Sequence, residues 1–241
     1  MCSRYSLTSP PEAVRQLFAL KSVEAFPPRY NIAPTQPVLI VRDGLSGDRE
    51  ATLVRWGLIP SWAKDPSQLS TMINARAETA ASKPSFRGPV RHKRCIVPAD
   101  GFYEWTGPVG SKQPHLITIR DDVAHRPSVS TSSISAGGLM GFAGLWEHWL
   151  GADGSEMESM AILTVPANHE MRSVHDRMPL ILAPEHFDVW LDCSSGSATS
   201  ILPLLETPPD GLVSIRAVSK RLNNYRNDDP SVQAPVDATL F

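Results

Sequence analysis

Long apolar runs are scarce in this chain of 241 residues. The run at residues 137–146 ends at Glu147, well short of the ~18 consecutive apolar residues that a membrane-spanning helix requires. Near the start of the chain, Pro10, Pro11 and Glu12 interrupt any apolar segment that could serve as a secretion signal. We therefore expect a soluble, cytoplasmic protein that makes no contact with a membrane.

Cysteine and metal-binding motifs are equally scarce. The three cysteines, at positions 2, 95 and 193, are odd in number and far apart, so they form neither a disulfide framework nor a C-x-x-C zinc motif. The pair His169 and Glu170 begins a zinc-protease motif, but Ser173 occupies the position of its second histidine. We expect no metal and no other cofactor.

Acidic residues are nearly missing from two basic segments, although the net charge of the whole chain is only −2. Residues 71–98 hold six cations against one acid, Glu78, and residues 211–227 hold four cations and no acid. Arginine outnumbers lysine 17 to 6, and its planar guanidinium suits bidentate contact with phosphate or carboxylate. The two segments are either ordinary solvated faces or contacts for an anionic partner.

Many short strands are predicted from what the chain does contain. Hydrophobic residues make up 41%, enough for a core, and 22 prolines favour short elements. Strand patterns occur at 38–42, 51–56, 95–97, 101–105, 116–120, 142–148, 160–165, 180–182 and 213–218. They predict one α+β domain over residues 1–241, with its core at about 2–236, built on curved or barrel-like antiparallel β-sheets with a few short peripheral helices. A low-complexity stretch predicts a flexible loop at about 124–138.

Helix signals are fewer. Ser9, with Pro10, Pro11 and Glu12 after it, starts a capping-box pattern that predicts a helix continuing to Leu20. Residues 74–81 (NARAETAA) are rich in helix formers and predict a short helix after a loop. Residues 184–191 and 198–205 predict two more helices.

The position of Cys2 gives this residue a special chemistry. Methionine aminopeptidases generally remove Met1 when the next side chain is small, so we expect the mature chain to begin with cysteine. An α-amine with a pKa of about 7.7–8.0 and a thiol with a pKa of about 8.5 then lie on adjacent carbons. A modest local shift of the thiol pKa would supply thiolate. Such an aminothiol condenses with an aldehyde to an imine and then closes to a thiazolidine, a ring closure favoured by high effective molarity. The alternative is a cysteine that merely follows the first residue.

Several sequence blocks, in order, match one known family. They are residues 1–5 (MCSRY), 29–34 (RYNIAP), 55–62 (RWGLIPSW), 73–79 (INARAET), 95–105 (CIVPADGFYEW), 175–179 (HDRMP), 218–219 (VS) and 224–235. The blocks cover nearly the whole chain, which resembles the SOS-response-associated peptidase (SRAP) family of abasic-site processing proteins. Ser3, where the family commonly has glycine, and Ala63, where some members have a second tryptophan, depart from the pattern.

The resemblance implies a covalent DNA-damage protein with the SRAP fold. Family members bind single-stranded DNA containing an abasic site and join the cysteine at position 2 to the ring-opened sugar as a thiazolidine, which shields the strand from cleavage. The match makes Cys2, Asn74, Glu104 and His175 catalytic residues.

Each of the last three residues has a role in that chemistry and a plainer alternative. The aromatic neighbours of Glu104 predict a raised carboxyl pKa suited to proton transfer, unless Glu104 lies on the wet face of a strand. His175 would shuttle protons or orient the sugar hydroxyl, unless it is a structural histidine. Asn74 would hydrogen-bond the Cys2 backbone or the adduct, unless it merely caps a helix.

The same match implies DNA contacts. The residues concerned are Arg4, Pro34, Trp62, Arg76, Thr164 and Arg177. The arginines would bind phosphates, Trp62 and Pro34 would form an apolar platform against bases beside the lesion, and Thr164 would donate to a phosphate. Arg29, Trp56 and Trp105 are assigned to the structure. We expect the partner to be single-stranded DNA containing abasic sites and the protein to be a monomer.

Two other functions are compatible with the same sequence, one that needs Cys2 and one that does not. An N-terminal-nucleophile cysteine peptidase, acting on its own leader or on another chain, would use Cys2 with His175 as its base. A plain single-stranded DNA-binding module would make no use of Cys2. A lyase activity of low efficiency through the imine is a further expectation, since imine formation acidifies the adjacent carbon.

Overall fold

The strands of the protein form two sheets in a computed structural model that describes residues 2–44, 47–120 and 138–236. The strands are β1 (Tyr5–Leu7), β2 (Arg29–Ile32), β3 (Pro37–Asp43), β4 (Arg49–Trp56), β5 (Asn74–Arg76), β6 (Arg94–Ala99), β7 (Gly101–Thr106), β8 (Gln113–Ile119), β9 (Met140–Leu150), β10 (Glu156–Pro166), β11 (Arg177–Pro179), β12 (Ile181–Leu182) and β13 (Val213–Ala217). Each of the nine predicted strand segments overlaps one of them.

The helices are short and peripheral, as the proline content predicts. The α-helices are α1 (Pro11–Leu17), α2 (Ala77–Ala80), α3 (Arg87–His92) and α4 (Phe187–Leu191). Short 3₁₀-helices are found at Pro66–Gln68, Met171–Ser173, Pro184–His186, Thr199–Leu204, Lys220–Asn223 and Pro230–Gln233.

Five strands close into a barrel in the order β10-β4-β3-β6-β9, because β9 pairs back onto β10. Strands β5, β11 and β12 extend its rim, and the second sheet has the order β13-β8-β7-β1-β2. Neighbouring strands are antiparallel, except that β10 runs parallel to β4 and β5. The architecture confirms the predicted α+β fold with barrel-like sheets and few helices.

Aromatic packing joins the start of the chain to the barrel. The ring centroid of Tyr5, on β1, lies 5.3 Å from that of Trp56 and 6.2 Å from that of Phe142, both in edge-on geometry. All three rings are buried in one hydrophobic cluster that draws residues from both sheets. Since β1 begins three residues after Cys2, this packing helps to hold Cys2 inside the same buried cluster.

Residues 74–81 do not form one helix, so this prediction was wrong. Asn74–Arg76 form β5, in which Asn74 lies opposite Ile162 of β10, and α2 begins only at Ala77. The prediction was based on local helix propensity, which the tertiary pairing with β10 outweighs. Asn74 is therefore not a helix cap.

Helix α1 forms where predicted, but it ends at Leu17 and is not capped by Ser9. The hydroxyl and the backbone N–H of Ser9 both donate to the Asp100 carboxylate, at 2.5 Å and 2.7 Å. The hydroxyl thus joins α1 to the turn between β6 and β7.

The predicted flexible loop at 124–138 lies outside the described residues, except for Gly138, because residues 121–137 are not described. The domain limits stay predictions.

Candidate active site around Cys2 and Glu104

Cys2 is fully buried, and its backbone is held by a side chain of the barrel rim. The side-chain amide Nδ2 of Asn74 donates to the Cys2 carbonyl at 2.8 Å, and the thiol donates to the Arg4 carbonyl over 3.7 Å. Oδ1 of Asn74 is also buried and has no hydrogen-bond partner among the described residues. An acceptor without a donor therefore lies beside the backbone of residue 2.

Burial raises the pKa of the Cys2 thiol, and the nearby carboxyl of Glu104 raises it further. Both effects disfavour a thiolate, one by withdrawing the sulfur from water and the other by charge repulsion. The expectation that a local shift would supply thiolate is therefore contradicted. At neutral pH, Cys2 is a neutral thiol in this environment.

Glu104 reaches the site through the pairing of β7 with β1. Phe102 lies opposite Tyr5 in that pairing, and Glu104 follows two residues later on the same face of β7. Its side chain is buried, only 4% exposed, and burial raises the pKa of the carboxyl. Both faces of β7 are buried here, so strand alternation alone could not have placed this residue.

An open pocket of about 430 Å³ connects Glu104 with solvent. It is lined by Ser3, Arg4, Glu104, Trp105, Lys112, His175 and Asn223. The pocket brings together three of the predicted site residues, Arg4, Glu104 and His175, which are far apart in the sequence. Lys112 and Asn223 were not predicted as site residues, because none of the motifs gave them a chemical role. Trp105 was assigned to the structure alone, but it also lines this pocket.

His175 is one of the residues that line this pocket. Its Nδ1 accepts a hydrogen bond from the backbone N–H of Arg177 at 2.9 Å. The Asp176 carboxylate lies 2.8 Å from the same nitrogen, but this carboxylate is largely exposed, and one nitrogen cannot accept and donate at once. While Nδ1 accepts this bond, Nε2 is the ring nitrogen that can act as a donor.

Arg4 is fixed at the rim of the pocket by Asn31. Nη1 of Arg4 donates to Oδ1 of Asn31 at 2.8 Å and to the Leu222 carbonyl at 3.2 Å. Burial lowers the pKa of Arg4, yet a guanidinium keeps its charge near neutral pH. The sequence reasoning missed Asn31, although it lies inside the matching block at residues 29–34.

Thr164 and Arg177 hold the barrel rim together. Thr164 is fully buried, and its hydroxyl donates to the Ala75 carbonyl at 3.4 Å and accepts from Nε of Arg177 at 3.2 Å. Two further nitrogens of Arg177 bind the Glu78 carboxylate at 2.8 Å and 2.9 Å. Arg177 thus already has an anionic partner, whereas Arg76 on the same rim is exposed. DNA contacts by these residues stay predictions.

Trp62 and Pro34 are not in the pocket with Glu104. Trp62 is 56% exposed and borders a second pocket of about 370 Å³, together with Arg87, Arg91 and His92 of α3. Pro34 is half-buried in the turn between β2 and β3. An exposed indole beside two arginines is suited to contact with a nucleic acid strand.

The described part of the chain offers neither a cluster of metal ligands nor a helix that could cross a membrane. It holds no group of three or more His, Cys, Asp and Glu side chains that could bind a metal ion. None of its helices has the length and apolarity needed to cross a membrane.

Nearly the whole chain is similar in sequence to several proteins that are named abasic site processing proteins. It is 36% identical over 236 residues to the abasic site processing protein YoqW of Bacillus subtilis, covering 96% of this chain and 98% of that protein. It is 33% identical over 272 residues to the abasic site processing protein HMCES of Rattus norvegicus, covering 98% of this chain and 76% of that protein.

A structural relative and a family model agree with these similarities. A crystal structure of a protein from Bacteroides thetaiotaomicron superimposes with a TM-score of 0.79 at 26% identity, covering 98% of this chain and 100% of the other. The model of the family described as SOS response associated peptidase (SRAP) matches residues 1–225. With nine-tenths of its length inside that match, the chain belongs to the SRAP family.

Proposed function

We propose that, once Met1 is removed, Cys2 forms a covalent crosslink with an abasic site in single-stranded DNA and so protects the lesion. The α-amine adds to C1′ of the ring-opened sugar, and water leaves with the aldehyde oxygen to give an imine. The sulfur then adds to C1′, and its proton passes to the nitrogen. The product is a thiazolidine, in which both the nitrogen and the sulfur of Cys2 are bonded to C1′.

The contact between Asn74 and the backbone of residue 2 is the observation that carries this proposal. A hydrogen bond of 2.8 Å fixes the Cys2 carbonyl. The unpartnered Oδ1 of the same amide would accept a hydrogen bond from the amine that removal of Met1 creates. A fixed nucleophile needs little reorganisation before it attacks, which favours a step that depends on orientation. The names of the relatives, abasic site processing proteins, agree with this chemistry.

The pKa values favour attack by the amine before attack by the sulfur. Because burial raises the pKa of the Cys2 thiol, a thiolate nucleophile of the cysteine-peptidase type is disfavoured. Glu104 has a raised carboxyl pKa, which suits a group that must both give and take protons near neutral pH. We assign to it the opening of the closed sugar and the proton transfers of imine formation. His175, on the same pocket wall, would hydrogen-bond a sugar hydroxyl.

The DNA strand would lie along the cationic rim of the pocket. Arg4 and Lys112 line the pocket itself, and the exposed Arg76 lies two residues from Asn74. Phosphate contacts of this kind position a strand without reading its sequence. We propose that one copy of the chain suffices, since all of these groups belong to a single chain. A reducing compartment such as the cytoplasm would keep the thiol free.

Incubation of the processed protein with an abasic oligonucleotide tests the proposal. We expect a denaturation-resistant adduct that is absent with Cys2→Ala. Cys2→Ser keeps the amine, so it should give only an imine that must be trapped by borohydride. Intact mass should show loss of Met1 before the adduct appears.

The alternatives predict other results. A peptidase would cleave peptides without DNA, and a binding module would retain DNA but form no adduct. An equal adduct in the Cys2→Ala variant, or in a protein that keeps Met1, would refute the thiazolidine. Strand cleavage through the imine would appear as a minor product of a weak lyase activity.

A further inference from the structure

We propose that Tyr225 is a stacking platform for an unpaired nucleobase next to the abasic sugar. This inference rests on the proposed function and adds a second DNA contact to it. Tyr225 lies inside the matching block at residues 224–235, which gave it no role, and it is not among the residues that line the pocket beside Trp62. The argument depends on three properties of the ring, namely its neighbours, its rigid support and the charge around it.

The ring lies in an alternating series of aromatic and guanidinium groups at the pocket mouth. Cζ of Arg4, a pocket-lining residue, is 5.9 Å from the ring centroid of Trp105 and 6.0 Å from that of Tyr225. Cζ of Arg226 is 6.0 Å from the Tyr225 centroid. Tyr225 itself is 48% exposed. These are the groups on which single-stranded bases stack, since aromatic rings and guanidinium planes both accept a base face.

The chain segment that carries Tyr225 is held rigidly although the ring is exposed. Nδ2 of the buried Asn31 donates to three of its carbonyls, those of Leu222, Asn224 and Asn227, at 3.1, 3.1 and 2.8 Å. The Asp228 carboxylate accepts from the backbone N–H of Asn31 at 2.8 Å. These bonds tie the segment to β2. A base that stacks on Tyr225 would therefore not have to order a mobile loop first.

Packing does not explain the position of the ring. The small hydrophobic cluster beneath this segment consists of Tyr103, Leu116, Val218, Leu222 and Val232, with Tyr30 and Trp105 against it. Tyr225 is outside that cluster. The neighbours that the ring does have are the guanidinium groups of Arg4 and Arg226, so it belongs to the cationic mouth of the pocket and not to the core.

The surrounding charge selects an anionic strand as the occupant. The basic segment at residues 211–227 supplies Arg226 and Lys220, and Lys112 lies across the pocket mouth. The acids that follow are already paired, Asp228 with Arg29 at 2.5 Å and Asp229 with Arg221 at 3.4 Å. Because a base inside a duplex has no free face, the platform fits an unpaired base in the same strand as the lesion.

This assignment is tested by a double-mutant cycle, in which the Tyr225 ring and the neighbouring base are removed one at a time and together. The noncovalent affinity of wild type, Tyr225→Ala and Tyr225→Phe is measured for single strands with one unreactive tetrahydrofuran abasic analogue. In two further strands, the nucleotide on the 5′ or the 3′ side of this analogue is replaced by a second tetrahydrofuran, which removes the base on that side. Leu202→Ala, which shortens another exposed apolar side chain, is the matched control.

We expect Tyr225→Ala to weaken binding roughly 5- to 150-fold when the neighbouring base is present on one particular side, which is the range for loss of one base–aromatic stack. The loss should disappear when that base is absent, and Tyr225→Phe should retain most of the affinity. An equal loss with and without the base, or no loss at all, would overturn the proposal. Crosslinking of wild type to reactive abasic DNA is scored separately, so failure of the covalent function is distinguishable from failure of the platform.

Discussion

Replacement of Asn31 by alanine should destabilise the protein, because it removes a buried amide that joins β2 to the segment carrying Tyr225. Asn31 is fully buried and makes four side-chain hydrogen bonds, one accepted from Arg4 and three donated to carbonyls of the segment that carries Tyr225. Each hydrogen bond contributes roughly 1 kcal/mol net. The Leu222 carbonyl keeps its bond from Arg4, so we expect a loss of about 3 kcal/mol in the free energy of unfolding.

Calorimetry measures this loss directly. A change of 1 kcal/mol moves Tm by roughly 2–4 °C in a protein of this size, so Asn31→Ala should lower Tm by about 6–12 °C. Noncovalent affinity for single-stranded DNA should fall as well, because Arg4 loses the acceptor that orients it. Gln16→Ala is the matched control, since the exposed amide of Gln16 makes one hydrogen bond, to Glu12.

The control should change stability by less than about 0.5 kcal/mol, as exposed substitutions do. If Asn31→Ala lowered Tm by no more than the control, the hydrogen bonds of Asn31 would not hold the segment, and the rigidity argued for Tyr225 would be lost with them.

Three further variants address the site. Because burial raises the pKa of Glu104, the folded protein holds this proton more tightly than the unfolded chain, and stability falls as pH rises from the ordinary glutamate pKa through the folded one. Glu104→Gln should therefore have a higher Tm than wild type at neutral pH, and the difference should vanish in acid. The same variant should form the crosslink more slowly. Equal Tm values at every pH would contradict this account. Arg76→Ala should weaken binding to all single strands alike and reduce the salt slope by about one ion, whereas Arg15→Ala, a distant exposed control, should not. Asn74→Ala should slow crosslinking roughly 10- to 100-fold, which is the equivalent of one lost hydrogen bond to a buried carbonyl, and should leave the affinity for DNA nearly unchanged. If only the affinity fell, Asn74 would be assigned to DNA binding instead.

The burial of Cys2 separates this site from that of a cysteine peptidase. A peptidase stabilises its thiolate, but here both burial and the Glu104 carboxyl raise the thiol pKa. A neutral thiol is no handicap for ring closure onto an imine, because that step is intramolecular and the proton of the sulfur passes to the nitrogen as the ring forms. The same local environment therefore disfavours one chemistry and permits the other.

Nine of the thirteen strands that the structure describes were predicted from the sequence, because alternating and continuous apolar patterns such as those of β3 and β9 are local properties of the chain. The short strands β1, β2, β5 and β11 were not predicted. The match of short blocks from residue 1 to residue 235 predicted the family and named Cys2, Asn74, Glu104 and His175 as candidates. Local patterns failed at Asn74 and Ser9. Each of these side chains has its hydrogen-bond partner far away in sequence, and β5 also pairs with the distant β10, so local propensity is outweighed.

Only the tertiary structure decided how the candidates meet. Closure of the barrel and the pairing of β1 with β7 bring Glu104 towards Cys2, and the pairing of β5 with β10 sets Asn74 against the Cys2 carbonyl. The direction of the thiol pKa follows from burial, a property of the folded molecule that residue type does not reveal. The grouping of Arg4, Trp105 and Tyr225 has the same origin, since contacts between residues about 100 and 220 positions apart arise only when the chain folds.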